Sequence, residues 1–190
     1  VLTDNAPTLK YIAPATVLTA TNGSNYSKIT WQSVAGATGY EVYRTSSDDF
    51  SGLTLVANVG ADVLSFVDNN VQAGKTYYYT IRTRDDEKSS VYSTPFEHTF
   101  LTIPQITSIA NAYGGITFSW GAVEGAEKYH VYRKIYGATY YTYITTVDAN
   151  TLSFTDTGAT NGKIMCYTVK AVKGASASAY LAKCMTYVKA

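Results

Sequence analysis

The sequence predicts an all-β fold: two consecutive seven-stranded Greek-key β-sandwiches. Composition is the first indication, since the chain has 18 Tyr, 46% hydrophobic residues and only 15% charged residues. Tyr, Thr, Val and Ile favour strands, whereas the usual helix formers are scarce. Short runs of alternating apolar residues, separated by turn residues, are the second indication. The third is that the motifs of the first half recur in the same order in the second half.

The internal repeat fixes the predicted domain organisation. Three matched pairs of segments carry it, namely Ile29–Arg44 with Phe118–Arg133, Leu64–Asp68 with Leu152–Asp156, and Tyr79–Ile81 with Tyr167–Val169. We therefore place the first copy at residues 14–102 and the second copy at residues 103–190. Residues 1–13 are interpreted either as a linker from an upstream domain or as a strand docked on the first copy.

Alternation within the strands predicts which side chains form the cores. Residues two apart on a strand point to the same side, so Ile29 and Trp31 share a face, and so do Tyr40 and Val42. The predicted core residues are Trp31, Tyr40, Val42, Tyr77 and Tyr79 in the first copy and Trp120, Tyr129, Val131 and Tyr167 in the second.

Both copies carry a further set of shared motifs. A proline opens each copy, Trp stands in the second strand, and Tyr-x-Val-Tyr-Arg forms the third. Ser-Phe-x-Asp then precedes a turn, and Gly-x-x-Tyr-x-Tyr-x-Ile leads into the sixth strand of the first copy. With these motifs each copy resembles a fibronectin type III domain of the bacterial extracellular type, over about residues 14–190. A true immunoglobulin domain would instead place Cys on both sides of the Trp.

The resemblance also implies one structural tyrosine. Val71, Gly74 and Tyr77 look like the tyrosine corner of the family, in which the phenol group fixes a loop between two strands. Met165 occupies the corresponding place in the second copy, and a thioether cannot donate that hydrogen bond. We therefore expect the second copy to be braced differently at this corner.

The two cysteines leave two readings open. If the segments 164–172 and 180–188 form a hairpin, Cys166 and Cys184 would lie opposite each other and could form a disulfide. The alternative is a pair of reduced thiols on adjacent strands. Two cysteines are too few for a disulfide-dense scaffold, and their spacing is not that of a metal site.

The search for chemistry predicts no catalytic residue, no metal site and no cofactor. His98 and His130 are the only histidines, and both are expected to be structural residues at the surface. The acidic pair Asp48 and Asp49 and the run Asp85–Glu87 are expected to be solvated turn formers. Weak calcium binding there is a minor alternative, because the ligand spacing is not that of an EF-hand.

Tyrosines of the second copy are the candidate binding residues. Tyr136, Tyr140 and Tyr143 exceed what packing on the sheet requires, and exposed Tyr suits stacking on sugar rings or a protein hot spot. The alternative interpretation is that a Tyr-rich strand simply tolerates exposure and protects the edge of its sheet.

Charge and hydropathy narrow the class of protein. The net charge of +1 and the scattered basic residues exclude a nucleic-acid partner. No apolar run is long enough to cross a bilayer, so we predict no membrane insertion. No signal peptide is visible, and because the chain begins at Val1 we expect it to be a piece of a longer secreted protein.

These observations predict a non-catalytic extracellular spacer or protein-interaction segment of a larger secreted or surface bacterial protein. It is expected to be monomeric, with the other domains of its parent protein, and a protein or glycan, as partners. One alternative is a carbohydrate-binding or adhesion module that uses the exposed tyrosines. Another is an accessory part of a larger glycoside hydrolase.

Overall fold

A computed structural model describes residues 11–189, and all of its regular secondary structure is β. The strands of the first copy are β1 (Val17–Asn22), β2 (Ser27–Trp31), β3 (Gly39–Thr45), β4 (Thr54–Gly60), β5 (Ser65–Asp68), β6 (Thr76–Arg84) and β7 (Phe96–Thr99). Those of the second copy are β8 (Ile106–Ala112), β9 (Gly115–Trp120), β10 (Lys128–Ile135), β11 (Thr142–Asp148), β12 (Ser153–Asp156), β13 (Ile164–Lys173), β14 (Ser176–Ala177) and β15 (Lys183–Thr186).

Each copy has two sheets with the same strand order. In the first copy the order is β1-β2-β5 in one sheet and β4-β3-β6-β7 in the other. In the second copy it is β12-β9-β8 in one sheet and β11-β10-β13 in the other, with β14 and β15 both pairing with β13. The chain therefore changes sheets between the second and third strands, between the fourth and fifth, and between the fifth and sixth, as in a Greek key. The all-β prediction is confirmed.

One detail differs between prediction and structure. The last strand of the second copy is divided into the short β14 and the separate β15, which gives that copy eight strands. The interpretation of residues 1–13 falls largely outside the described residues.

The cores are built on a ring pair that both copies share. Trp31 packs against Tyr40 with the ring centroids 5.7 Å apart, and Trp120 packs against Tyr129 at 5.7 Å as well. Both pairs are edge-to-face, an arrangement that adds about 0.5–1.5 kcal/mol beyond the burial itself. Each phenol oxygen also accepts a hydrogen bond from a backbone N–H, of Val34 in one copy and of Val123 in the other. All nine residues that the sequence assigned to the cores are buried.

Contacts divide the chain into two compact units whose boundary does not follow the repeat. The first unit contains Ile29–Phe66, Tyr78–Glu97 and the segment that ends at Thr19. The second contains Ala20–Lys28, Val67–Tyr77 and the chain from His98 onward. Three short segments of the first copy, residues 20–28, 67–77 and 98–102, thus pack with the second copy. The domain boundary between residues 102 and 103 stays a prediction.

A buried polar network inside the second unit joins two of these segments to the second copy. His98 Nε2 lies 2.8 Å from Asn22 Oδ1, and the Asn22 amide donates to the carbonyl oxygens of Thr99 and Ala177 at 3.0 and 3.1 Å. Ser176 Oγ accepts from the Thr99 N–H at 2.9 Å and lies 3.3 Å from His98 Nδ1. We call Asn22, His98, Thr99, Ser176 and Ala177 the junction cluster.

Two glycine turns of the second unit approach each other. Gly74 and Gly125 both have a positive φ, of 72° and 77°. A Cβ added to Gly125 would lie 2.7 Å from the Gly74 Cα, and one added to Gly74 would lie 2.9 Å from the Glu124 Cγ. Only glycine therefore combines the left-handed backbone with this close approach.

The expectation that His98 lies at the surface is wrong. Its side chain is only 2% exposed, because the segments that carry Asn22 and Ser176 cover β7. Alternation places His98 on one side of its strand but does not show what lies there. In this structure that side is filled by the junction cluster.

Mild acid is expected to destabilise the second unit through His98. Burial lowers the pKa of the imidazole from 6.5 to about 4. The imidazole therefore binds a proton near pH 6.5 in the unfolded chain but only near pH 4 in the folded chain. The contribution of His98 to the free energy of unfolding should fall as the pH drops through this window and become constant below it.

Urea unfolding between neutral pH and about pH 4 checks this expectation on the wild type and on His98→Gln. The free energy of unfolding of the variant should depend less steeply on pH, by the slope that one proton contributes. Carboxylate titration contributes equally to both proteins. Parallel curves for the two proteins would contradict the assignment to His98.

Candidate functional site

Strand register places a set of large side chains on the outward face of the larger sheet of the second copy. On β10 and β13, Tyr129, Val131 and Val169 point inward and are buried. The residues between them point the other way, so His130 lies opposite Lys170 across the pair β10–β13. Tyr132 lies opposite Tyr143 across the pair β10–β11, beside a bulge at Val131 and Tyr132.

The aromatic rings of this face contact one another. Tyr143 packs edge-to-face against Tyr132 and His130, with ring centroids 5.7 and 6.0 Å apart. Tyr141 packs in the same manner against Tyr180 at 5.6 Å. The rings of Tyr143 and Tyr180 remain about half exposed. Edge-to-face packing therefore fixes the rings while leaving part of their surface open to a partner.

Two lysines link the aromatic rings into one surface. Lys170 Nζ lies 5.0 Å from the ring centroid of Tyr180 and 6.0 Å from that of Tyr132. Lys134 Nζ lies 4.8 Å from the ring centroid of Tyr141. Such cation–π contacts contribute about 0.5–1 kcal/mol each at exposed sites. The basic-aromatic face thus consists of His130, Tyr132, Lys134, Tyr141, Tyr143, Lys170 and Tyr180.

The surroundings of the His130 imidazole on this face disfavour its protonation. Burial lowers the pKa of His130, and the nearby Lys128 and Lys170 ammonium groups lower it further. Across the pair β10–β11, Lys128 lies opposite Asp148, at the end of the strands. The charge of the face therefore comes from Lys134 and Lys170, with Lys128 at its end.

The three tyrosines predicted to bind a ligand do not form one group. Tyr136 lies in the turn after β10 and Tyr140 lies just before β11, and both are highly exposed. Tyr143 lies on β11, where it joins the basic-aromatic face and its hydroxyl lies 2.8 Å from Thr146 Oγ1. Alternation places Tyr141 and Tyr143 on one face, but the sequence did not indicate Tyr132 and Tyr180 as members of the same surface, because their proximity depends on the register.

A buried carboxylate in the second copy has a structural role. Asp156 accepts hydrogen bonds from the Arg133 guanidinium, from the Gly158 N–H at 2.9 Å and from the Tyr167 hydroxyl at 2.8 Å. Burial and the hydrogen bond to Asp156 raise the pKa of Tyr167 well above its ordinary value. These groups hold β12 against β10 and β13, and a neutral, buried phenol has no access to a substrate.

The cysteines and the tyrosine corner are structural as well. Cys166 on β13 lies opposite Cys184 on β15, and the two form a disulfide. In the first copy the Tyr77 hydroxyl accepts a hydrogen bond from the Gln72 N–H at 2.9 Å. Met165 at the corresponding place is buried in the apolar core of the second copy.

The acidic loops form turns. Asp49 accepts hydrogen bonds from the Ser47 hydroxyl and the Ser51 N–H, which lower the pKa of its carboxyl to about 2. Asp85 accepts from the backbone N–H groups of Glu87 and Lys88. Within residues 11–189 no three side chains of His, Cys, Asp or Glu come together as metal ligands. That same range contains no helix long and apolar enough to span a membrane.

The strand order defines the class: each copy has the fold of a fibronectin type III domain, with three strands in one sheet and a larger sheet built on the third, fourth and sixth strands. Exoglucanase B of Cellulomonas fimi is 31% identical to 87% of this chain, which spans only 15% of the length of that protein. No protein-family model matches the chain.

Two solved structures are also similar. The two-domain fibronectin type III segment of chicken tenascin aligns with a TM-score of 0.45 and 16% identity over 93% of this chain and 99% of its own. An Fn3-like protein from Clostridium thermocellum aligns with a TM-score of 0.44 and 22% identity over 48% of this chain and 95% of its own.

Proposed function

We propose that this chain is a non-catalytic, extracellular spacer segment of a larger bacterial protein that acts on polysaccharides. The two fibronectin type III-like copies would hold neighbouring domains apart and contribute contacts of their own. The similarity to part of Exoglucanase B supports the choice of parent protein, because that relative is several times longer than the matched segment.

The junction cluster is the observation that carries the spacer role. A flexible tether needs no buried hydrogen bonds between its modules, and Gly/Ser linkers provide none. Here Asn22, Thr99 and Ser176 exchange buried hydrogen bonds between segments of the two copies. Because each buried polar group would be left unsatisfied if the junction opened, the arrangement favours a fixed spacing.

The structural use of the buried polar groups supports the non-catalytic part of the proposal. The carboxylate of Asp156 is occupied by Arg133, Gly158 and Tyr167, and the imidazole of His98 contacts Asn22 and Ser176. A general acid or nucleophile needs access to the substrate, and these groups are enclosed.

A distance measurement tests the spacer role. Nitroxide labels would be attached through an unnatural amino acid at the exposed positions Val67 and Tyr113, which both belong to the second unit, so that the cysteines stay unchanged. Pulsed electron–electron double resonance should give one narrow distance distribution for the wild type. The distribution should broaden in the double variant Asn22→Ala, Ser176→Ala. A broad distribution in the wild type would reject the spacer role.

An activity assay tests the other half of the proposal. The purified chain, incubated with cellulose, xylan and soluble oligosaccharides, should release no reducing ends. Release that persists after repeated purification would show the chain to be an enzyme.

A further inference from the structure

The first copy carries the same surface in a self-neutralised form. Glu41, Tyr43 and Arg82 occupy the sequence positions of His130, Tyr132 and Lys170. Glu41 Oε2 lies 3.8 Å from Arg82 Nη1 and accepts a hydrogen bond from the Tyr43 hydroxyl at 3.2 Å. Arg82 also lies over the Tyr92 ring, with 5.3 Å between the guanidinium carbon and the ring centroid. The cation of the first copy therefore has a carboxylate partner within its own sheet.

The second copy keeps this frame but lacks the carboxylate. Lys170 lies over Tyr180 as Arg82 lies over Tyr92, yet the residue opposite it is His130, which has no carboxylate. The aromatic part is larger too, since the partner of Tyr132 on the edge strand is Tyr143, whereas the partner of Tyr43 is Leu55. The face of the second copy is thus cationic and more aromatic, because His130, Lys134, Tyr141 and Tyr143 stand where the first copy has Glu41, Thr45, Leu53 and Leu55.

We propose that the basic-aromatic face binds a polysaccharide whose pyranose rings carry carboxylates. The half-exposed rings of Tyr143 and Tyr180 offer flat apolar surface to the C–H faces of sugar rings. Lys134 and Lys170 offer ammonium groups to the carboxylates of the same polymer. The site lies on an open sheet face, which suits a chain-like ligand. It adds a ligand to the spacer role and does not depend on that role.

Affinity electrophoresis in gels that contain polygalacturonate tests this site. The wild type should be retarded, less so at high salt because the ion pairs are screened. His130→Glu should weaken the affinity about fivefold to tenfold, since it installs the carboxylate with which the first copy neutralises its cation. It should still fold, because Glu41 occupies the equivalent position. Tyr143→Leu, which installs the first copy's Leu55, should weaken retardation as well.

The matched control is Lys88→Gln. This exposed residue lies in a loop of the first copy, and its substitution lowers the net charge by the same amount as His130→Glu does. Its retardation should equal that of the wild type. An equal loss of retardation in the two variants would show that the effect depends only on net charge, and it would overturn the proposal.

Two further gels identify the ligand class. Gels with a neutral glucan should not retard the wild type, and gels with poly-glutamate should retard it much less than polygalacturonate does. Equal retardation by the neutral glucan, equal retardation by poly-glutamate, or no retardation by polygalacturonate at low salt would each overturn the proposal. None of these results bears on the distance distribution that tests the spacer role.

Discussion

Replacing Asp156 with Ala is expected to lower the free energy of unfolding of the second copy by about 3–5 kcal/mol. The substitution leaves the Arg133 guanidinium without its carboxylate and the Tyr167 hydroxyl without its acceptor. Tyr167 is fully buried, so water cannot replace that acceptor without opening the core. The Arg133 side chain is 30% exposed and can be solvated by water, so most of the loss comes from the hydrogen bonds of Asp156 to Tyr167 and Gly158.

Urea unfolding of variants that carry Trp31→Phe would measure this loss, because the fluorescence then reports on Trp120 and the second copy alone. Asp148→Ala is the control. That carboxylate is exposed and accepts hydrogen bonds from the backbone of Asn150 and Thr151, so its removal should cost no more than about 1 kcal/mol. Equal losses from the two substitutions would contradict the role assigned to Asp156.

Opening the disulfide should lower the stability of the second copy by about 3 kcal/mol. Cys166 and Cys184 are 18 positions apart, and a cross-link over a loop of this size removes much of the conformational freedom of the unfolded chain. The double variant Cys166→Ala, Cys184→Ala is expected to show this loss with the Trp120 signal. The Trp31 signal, followed in a Trp120→Phe background, should change much less, because the first copy shares only the junction cluster with the second.

Reduction of the wild type controls for the cavity that the double variant creates, because Cys166 is fully buried. The reduced wild type should lose about as much stability as the variant does. If reduction left the unfolding curve of the second copy unchanged, the disulfide would not be a stabilising element.

Most of the fold was predictable because it is encoded locally. The alternation around Trp31 and Trp120, and the turns that follow each short run, specify strands and their inward faces without reference to distant residues. Because the two copies match in sequence, the strands assigned in one copy support those assigned in the other. The division of the last strand into β14 and β15 was not predictable, since both pieces are short and both depend on pairing with β13.

The candidate site was predictable only in part. Tyr143 was singled out by its surplus over packing needs, but its partners come from three separate strands and loops. Tyr132, Lys170 and Tyr180 join it through register and a bulge, which no local pattern specifies. The burial of His98 was missed for the same reason, since the Ser176 that contacts it is far away in the sequence.

Nuclear Overhauser contacts of the two indoles test the central claim most directly, namely that each copy closes two sheets around one tryptophan. Protons of Trp31 should show contacts to the ring of Tyr40, and those of Trp120 to the ring of Tyr129. Cross-strand contacts should join Val42 to Ile81 and Val131 to Val169. Indoles that show only sequential contacts, or a helical pattern in either copy, would contradict the two-sandwich account.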